Sequence, residues 1–137
     1  MIRAAFIWLL TGGLTGTLML AEKAIPFEPA IWLLLPVHIS TMIFGWMIQF
    51  ILGVAYWMLP KFLKQPFRGP RRPAFAVVCM VNLGLILSAA GHLVPAAGIS
   101  GTIPLLLIIT GYLLILSGIV TMAVLLYPRV ISYRGGY

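Results

Sequence analysis

Residues 102–127 read TIPLLLIITGYLLILSGIVTMAVLLY, an unbroken run without Asp, Glu, Lys or Arg. A helix needs about 20 consecutive apolar residues to cross the hydrocarbon core of a bilayer. At this length in lipid, only a helix satisfies its own backbone hydrogen bonds. The run therefore predicts a membrane-spanning helix.

Three similar apolar runs precede this one, at residues 2–21, 30–59 and 73–94. The connections between the runs are short and contain Pro or Gly, and a tail is expected from Pro128. Short connections make consecutive helices antiparallel neighbours. The sequence therefore predicts an all-α, integral membrane four-helix bundle, with residues 1–137 as a single transmembrane domain.

The first run could also be mistaken for a cleaved signal peptide ending at Ala21. Met19 stands where a small residue is wanted before the cleavage site. We therefore expect this run to be a retained membrane helix.

The composition excludes several classes of protein. Hydrophobic residues make up 62% of the 137 residues and charged residues only 8%, which a water-soluble globule cannot accommodate. Cys79 is the only cysteine, so a disulfide scaffold and a zinc site built from cysteines are excluded. The net charge of +7 does not point to nucleic acid, because the basic residues lie beside the membrane spans.

The distribution of Lys and Arg predicts the orientation of the chain. Lys23 is alone on one side of the membrane, near Glu22 and Glu28. Because cytoplasmic loops carry the excess of positive charge, both termini and the middle loop are expected to face the cytoplasm. The residues on that side are Arg3, Lys61, Lys64, Arg68, Arg71, Arg72, Arg129 and Arg134.

Two histidines, His38 and His92, are the only side chains in the spans that titrate near neutral pH. Their depths are measured along the helix from Pro60 and Pro73, taken as the inner ends of the second and third runs. The helical rise places His38 at a height of about 33 Å and His92 at about 29 Å. Two imidazoles at nearly one depth on neighbouring helices are predicted to be the axial ligands of one haem iron.

Small residues near both histidines would leave room for a flat macrocycle. Met42 and Gly45 lie one and two helical turns after His38, and Ser88 lies one turn before His92, so each shares a helix face with its histidine. The glycines of the first span would serve the same end. The predicted cofactor-binding residues are His38, His92, Met42, Gly45, Ser88, Gly12 and Gly16.

Several of these residues also have a simpler interpretation. Gly12 and Gly16 form a G-x-x-x-G pair, which often marks contact between membrane helices. A histidine near a helix end can hydrogen-bond to interfacial water, and Met42 could be an axial ligand or a core filler. Four polar side chains are expected to hydrogen-bond between helices rather than act in catalysis: Thr41, Gln49, Asn82 and Ser117.

Residues 36–61, PVHISTMIFGWMIQFILGVAYWMLPK, resemble the second helix of subunit I of the haem-copper oxidase and nitric oxide reductase superfamily. In that helix a histidine near the outer end is followed by a spaced Gly-Trp, a later Gly and an aromatic before a Pro. The glycine-rich stretch LLTGGLTGTLMLA, residues 9–21, is similar to the preceding helix. The resemblance covers the first two predicted spans.

The resemblance implies that His38 ligates a low-spin haem, as its counterpart does in the family. It does not extend to His92, whose assignment depends on the depth argument alone. The family's copper site needs three further histidines, and this chain has none to supply them. Reduction of oxygen or nitric oxide at a binuclear centre is therefore not expected. The family's haem propionates are held by arginines, whereas only Lys23 is available here on the outer side.

The sequence is therefore interpreted as a membrane cytochrome with one haem b per chain, held by His38 and His92 and used for one-electron transfer. No catalytic activity of its own is expected, and no C-x-x-C-H motif occurs for covalent haem attachment. The expected location is a bacterial or archaeal inner (cytoplasmic) membrane. The expected partners are the lipid bilayer, further copies or other membrane subunits, and a quinol or cytochrome.

Three alternatives remain at this point. The first is a haem-free structural or assembly subunit of a membrane complex, and the second is a haem-based sensor with an exchangeable ligand. The third is a small multidrug or proton-coupled transporter, which has the right length and helix number but would need an intramembrane carboxylate that the sequence lacks.

Overall fold

Four long helices make up the part of the chain that the structure describes. The computed structural model describes residues 1–59 and 71–134. The helices that are long and apolar enough to cross a membrane are span 1 (Ile2–Ala24), span 2 (Pro29–Met58), span 3 (Arg72–Ala97) and span 4 (Thr102–Ile131). The predicted all-α architecture with four spanning helices is confirmed, and these two ranges contain no strand. Most of the predicted basic loop, residues 60–70, lies outside the described residues.

Span 2 is a continuous helix made of four consecutive segments. It begins with the 3-10 helix Pro29–Leu34, continues as the α-helix Leu35–Ser40 and the π-helix Thr41–Ile48, and ends as the α-helix Gln49–Met58. The Glu28 carboxylate accepts a hydrogen bond from the Ala30 N–H at 3.2 Å and caps the start. The π-helix begins three residues after His38, and π-helical segments in proteins are frequent at functional sites.

The last two spans end differently from the sequence-based expectation. Span 3 comprises the α-helix Arg71–Leu93 and the 3-10 turn Val94–Ala97. Span 4 belongs to a helix that runs over Thr102–Arg134 and contains Pro128, where a stop was expected. The missing N–H of proline removes one helical hydrogen bond, but packing just beyond it keeps the helix continuous.

That packing is supplied by Arg129, which is only 2% exposed. Its guanidinium donates to the carbonyl of Tyr56 at 2.9 Å and to that of Leu59, and it lies 5.5 Å from the centre of the Tyr56 ring. The last carbonyls of a helix have no partner within the helix and carry partial negative charge. Arg129 therefore caps span 2 and fixes the C-terminal end of span 4 against it.

The spans pack as two close pairs, span 1 with span 2 and span 3 with span 4, and the N-terminal half of span 2 also contacts span 3. Spans 3 and 4 approach at Gly84 and Gly111, because a Cβ built on Gly84 would lie 2.5 Å from the Gly111 carbonyl oxygen. Such close approach of two helix backbones is typical of small residues in membrane helices. The antiparallel neighbours expected from the short connections are observed.

A polar link and an apolar cluster hold the two pairs together. The Trp8 indole of span 1 donates to Asn82 Oδ1 of span 3 at 2.7 Å. A buried cluster on spans 3 and 4 also packs against Trp8 of span 1 and Phe44 of span 2, and so joins the two pairs. The cluster consists of Val77, Val81, Leu85, Ile115, Met122 and Leu126. Outside this core, the large apolar side chains are mostly exposed, as a lipid-facing surface requires.

The four polar side chains expected to bond between helices have different outcomes. Asn82 does so through Trp8, which confirms that prediction. The prediction is wrong for Thr41 and Ser117, whose hydroxyls donate to carbonyls of their own helices, those of His38 and Leu114. A hydroxyl in a helix can donate in this way to a carbonyl three or four residues earlier in the same helix.

Gln49 is the fourth of these side chains. It is fully buried, and neither its Nε2 nor its Oε1 has a hydrogen-bond partner. The expected bond to another helix is therefore not formed.

Candidate functional site

The His38 imidazole lies against span 1. Its Nδ1 is 2.8 Å from the Gly12 carbonyl oxygen, and 3.4 Å from the Thr15 hydroxyl, which itself donates to the same carbonyl at 2.9 Å. A carbonyl can only accept, so Nδ1 carries the proton and donates to Gly12. The other ring nitrogen, Nε2, is then left with its lone pair. This arrangement is the usual one for a metal-binding histidine, whose second nitrogen is fixed by a carbonyl or carboxylate.

Two glycines of span 1 receive the side chains of span 2. A Cβ built on Gly16 would lie 2.7 Å from His38 Cε1, and one built on Gly12 would lie 2.6 Å from Met42 Sδ. The G-x-x-x-G pair is thus a helix contact, as its simpler interpretation predicted, and what it contacts is the histidine and the methionine. Four predicted site residues meet here: Gly12, Gly16, His38 and Met42.

Gly45 and Ser88 lie at other helix contacts. A Cβ on Gly45 would meet the Trp8 side chain at 2.7 Å. Ser88 is 2% exposed and donates to the Leu85 carbonyl at 3.0 Å, while its backbone packs on Gly111 of span 4. Within the contacts that the structure records, neither residue touches the His38 ring.

His92 lies in the last turn of the α-helix Arg71–Leu93, and His38 lies in the first α-helical turns of span 2. In an antiparallel pair these two ends belong to the same side of the bundle. His92 Nε2 is buried and has no hydrogen-bond partner. Neither a hydrogen bond nor a ring contact joins His38 to His92, and the His38 ring faces span 1.

The donor atoms fit a haem iron in their chemistry. His38 presents a lone pair at Nε2 because Nδ1 holds the proton, and no recorded hydrogen bond engages that Nε2. His92 presents a buried nitrogen without a partner, and such an atom is costly to leave unsatisfied. Neutral imidazole nitrogens of this kind are common axial ligands of haem.

Comparison with known proteins supplies the family. The family model described as Cytochrome C and Quinol oxidase polypeptide I matches residues 1–134. The chain belongs to this family. The match extends the resemblance from the first two spans to both helix pairs. No curated protein and no solved structure matches the chain.

Members of this oxidase family bind haem and work within membrane complexes. The chain is accordingly an integral membrane protein related to haem-copper oxidases.

Sequence reasoning missed a second contact of the histidine segment in this oxidase-family chain. The Tyr112 hydroxyl of span 4 lies 2.7 Å from Ser40 Oγ, two residues beyond His38. The signal was a serine and a tyrosine inside otherwise apolar runs, but the sequence could not pair them across 72 residues. Arg129 was also missed as a cap, since it was read only as a marker of orientation.

Proposed function

We propose that this chain is a membrane-embedded b-type cytochrome that binds one haem through His38 and His92 and mediates one-electron transfer. One observation supports this most strongly: His38 Nδ1 donates to the Gly12 carbonyl and leaves Nε2 free to bind a metal. The family assignment supports the iron of a haem as the metal that Nε2 binds.

The residues of span 1 would act on His38 rather than on the haem itself. The Gly12 carbonyl holds one tautomer of the ring and fixes its orientation. Gly16 allows the ring to approach the backbone of span 1, since any larger residue would occupy the same space. Two histidine ligands leave iron no open position, so a haem bound in this way would carry electrons rather than activate a substrate.

His92 is proposed as the second ligand because its Nε2 is buried without a partner. A metal bond would remove the penalty of an unsatisfied buried nitrogen. Met42 is the minor alternative, and its sulfur packs on Gly12 beside the His38 turn. The two ligand pairs differ in donor atoms and are therefore distinguishable by spectroscopy.

The remaining parts of the proposal follow from the position of the histidines near the predicted outer ends of the spans. A haem on one side of the bilayer cannot alone carry electrons across it, so we expect a homo-oligomer or other membrane subunits. The redox partner would be a quinol or a cytochrome. The chain would work in a bacterial or archaeal inner membrane, with both termini and the middle loop in the cytoplasm.

A haem-free structural or assembly subunit is the second candidate function. The observation in its favour is that His38 and Met42 fill the hollows at Gly16 and Gly12 as ordinary packing side chains would. This candidate predicts a colourless protein whose stability depends on His38 and whose His92 tolerates substitution.

The test is a reduced-minus-oxidised visible spectrum of the detergent-purified chain from haem-replete cells, with haem quantified per chain. The proposal predicts sharp low-spin bands, about one haem per chain, and loss of the bands in both His38→Ala and His92→Ala. Thr17→Ala is the control, because Thr17 is exposed on span 1 and bonds only to its own helix. Recovery of the bands by added imidazole in His38→Gly would show that a folding failure is not the cause. A colourless wild-type protein would contradict the proposal.

A further inference from the structure

The turn that carries His38 is held from two opposite sides. Residues two apart on an α-helix point about 200° away from each other, at 100° per residue. His38 accordingly meets span 1 through Gly12 and Gly16, while Ser40 meets span 4 through Tyr112. The His38 turn therefore lies between two supports on different helices.

The direction of the Ser40–Tyr112 hydrogen bond follows from the other bond of Ser40. The Ser40 hydroxyl donates to the Pro36 carbonyl at 2.8 Å, which uses its only proton. The Tyr112 hydroxyl must then donate to Ser40 Oγ, across 2.7 Å. Ser40 is 4% exposed, so this bond is shielded from competing water.

Tyr112 contacts both sides of the junction between α-helix and π-helix. Ser40 is the last residue of the α-helix, and the π-helix Thr41–Ile48 follows directly. Within the π-helix, Phe44 packs edge-on against the Tyr112 ring, with ring centres 6.2 Å apart and planes at 66°. One side chain of span 4 therefore touches the turn before the junction and the turn after it.

A junction of this kind needs to be held because the π-helix is the less stable form. Conversion of the π-helical turns to α-helix would rotate the preceding segment by about 100°, the angle that one residue occupies in the α-helix. His38 lies in that preceding segment. A rotation of this size would take its ring away from the Gly12 carbonyl.

We propose that Tyr112 is a positioning residue for His38: acting through Ser40 and Phe44, it fixes the α-to-π junction and so keeps the imidazole on the Gly12 carbonyl with Nε2 free. The effect on a bound haem rests on the proposed function. The effect on the tautomer of His38 does not, because it concerns the protein alone.

The first experiment uses the haem-free protein, labelled with nitrogen-15 in its histidines and studied by NMR in detergent. With only two histidines in the chain, the ring signals are few and His38→Gln assigns them. In the unchanged protein the Nδ1-protonated form of His38 should dominate. In Tyr112→Phe the ratio of that form to the other tautomer should fall on the order of five-fold, as expected when one hydrogen bond is lost.

Tyr127→Phe is the matched control, because it removes a tyrosine hydroxyl from the same helix at an exposed position. It should leave the His38 signals unchanged. Ser40→Ala should reproduce the effect of Tyr112→Phe, and the double variant should add little to either. An unchanged tautomer ratio in both Tyr112→Phe and Ser40→Ala would overturn the proposal, whatever happens to haem binding.

The second experiment uses the haem-loaded protein. Tyr112→Phe should shift the reduction potential and the electron paramagnetic resonance g-values, while Tyr127→Phe should leave both unchanged. If the wild-type protein binds no haem but the tautomer of His38 still depends on Tyr112, the proposed cytochrome function fails and the positioning role stands. If haem binds and neither the tautomer nor the potential responds to Tyr112→Phe, the positioning role fails alone.

Discussion

Alanine at Gly16 is predicted to disturb His38 specifically. The new Cβ would lie 2.7 Å from His38 Cε1 and 3.2 Å from Nδ1. Carbon atoms in good contact lie about 3.5–4.0 Å apart, so the ring has to move by about 0.8 Å or more. The Nδ1 to Gly12 hydrogen bond, now 2.8 Å, would then exceed the upper limit of about 3.2 Å for an N–H···O bond.

The expected magnitude follows from these contacts. Forcing an extra carbon into a packed contact costs about 1–3 kcal/mol. Loss of the bond to Gly12 adds about 1 kcal/mol. A gain of up to about 1 kcal/mol from replacing glycine within a helix opposes both terms. Gly16→Ala should therefore lower the free energy of unfolding by about 1–3 kcal/mol, and it should reduce haem bound per chain.

Gly13→Ala is the matched control, because a Cβ there would have no atom within 4 Å. It gains the same helix propensity without the contact, so its thermal midpoint in detergent should equal or exceed that of the wild type. Thermal unfolding and haem content are measured for both variants side by side. If Gly16→Ala and Gly13→Ala have the same thermal midpoint and the same haem content, the His38 ring does not depend on its contact with Gly16, and the reasoning is refuted.

Three other substitutions test separate contacts. Gly111→Ala would bring a Cβ to 2.7 Å from the Ser88 backbone nitrogen. Spans 3 and 4 should therefore move apart and the thermal midpoint should fall. An unchanged midpoint would contradict the close packing of the two spans. Gln49→Leu removes two buried, unpartnered amide atoms and should stabilise the protein by about 1–3 kcal/mol in thermal unfolding; destabilisation would mean that the amide has a partner. Arg129→Met removes two charge-assisted bonds to span 2 and should cost about 3 kcal/mol or more, while Arg129→Lys recovers part of it; equal stability of Arg129→Met and wild type would contradict the cap.

The four-helix fold could be predicted from the sequence, because a membrane restricts the structures that an apolar run can adopt. An uncharged apolar run long enough to cross the bilayer has one stable form in lipid, so four such runs predict four helices. The residue at which the helix of span 4 ends could not be predicted. Pro128 is a stop signal by local rules, and the contact of Arg129 with the distant Tyr56 carbonyl overrides it.

The candidate site was accessible in part. His38 and the G-x-x-x-G pair are visible as residue types, and they do meet in the structure. The face of span 2 that His38 occupies could not be predicted, because the 100° periodicity assumed for an α-helix fails across the π-helix Thr41–Ile48. The hydrogen bond from Tyr112 joins residues far apart in sequence, so it needed the fold.

The proposed pair of axial ligands can be tested most directly by near-infrared magnetic circular dichroism of the oxidised, detergent-purified protein, because the charge-transfer band of a low-spin ferric haem depends on its two axial ligands. Ligation by His38 and His92 predicts a band typical of two imidazoles in the wild type and its loss or change in His92→Met. A band typical of histidine and methionine would show that Met42, and not His92, is the second axial ligand. A protein without low-spin haem would contradict the central proposal.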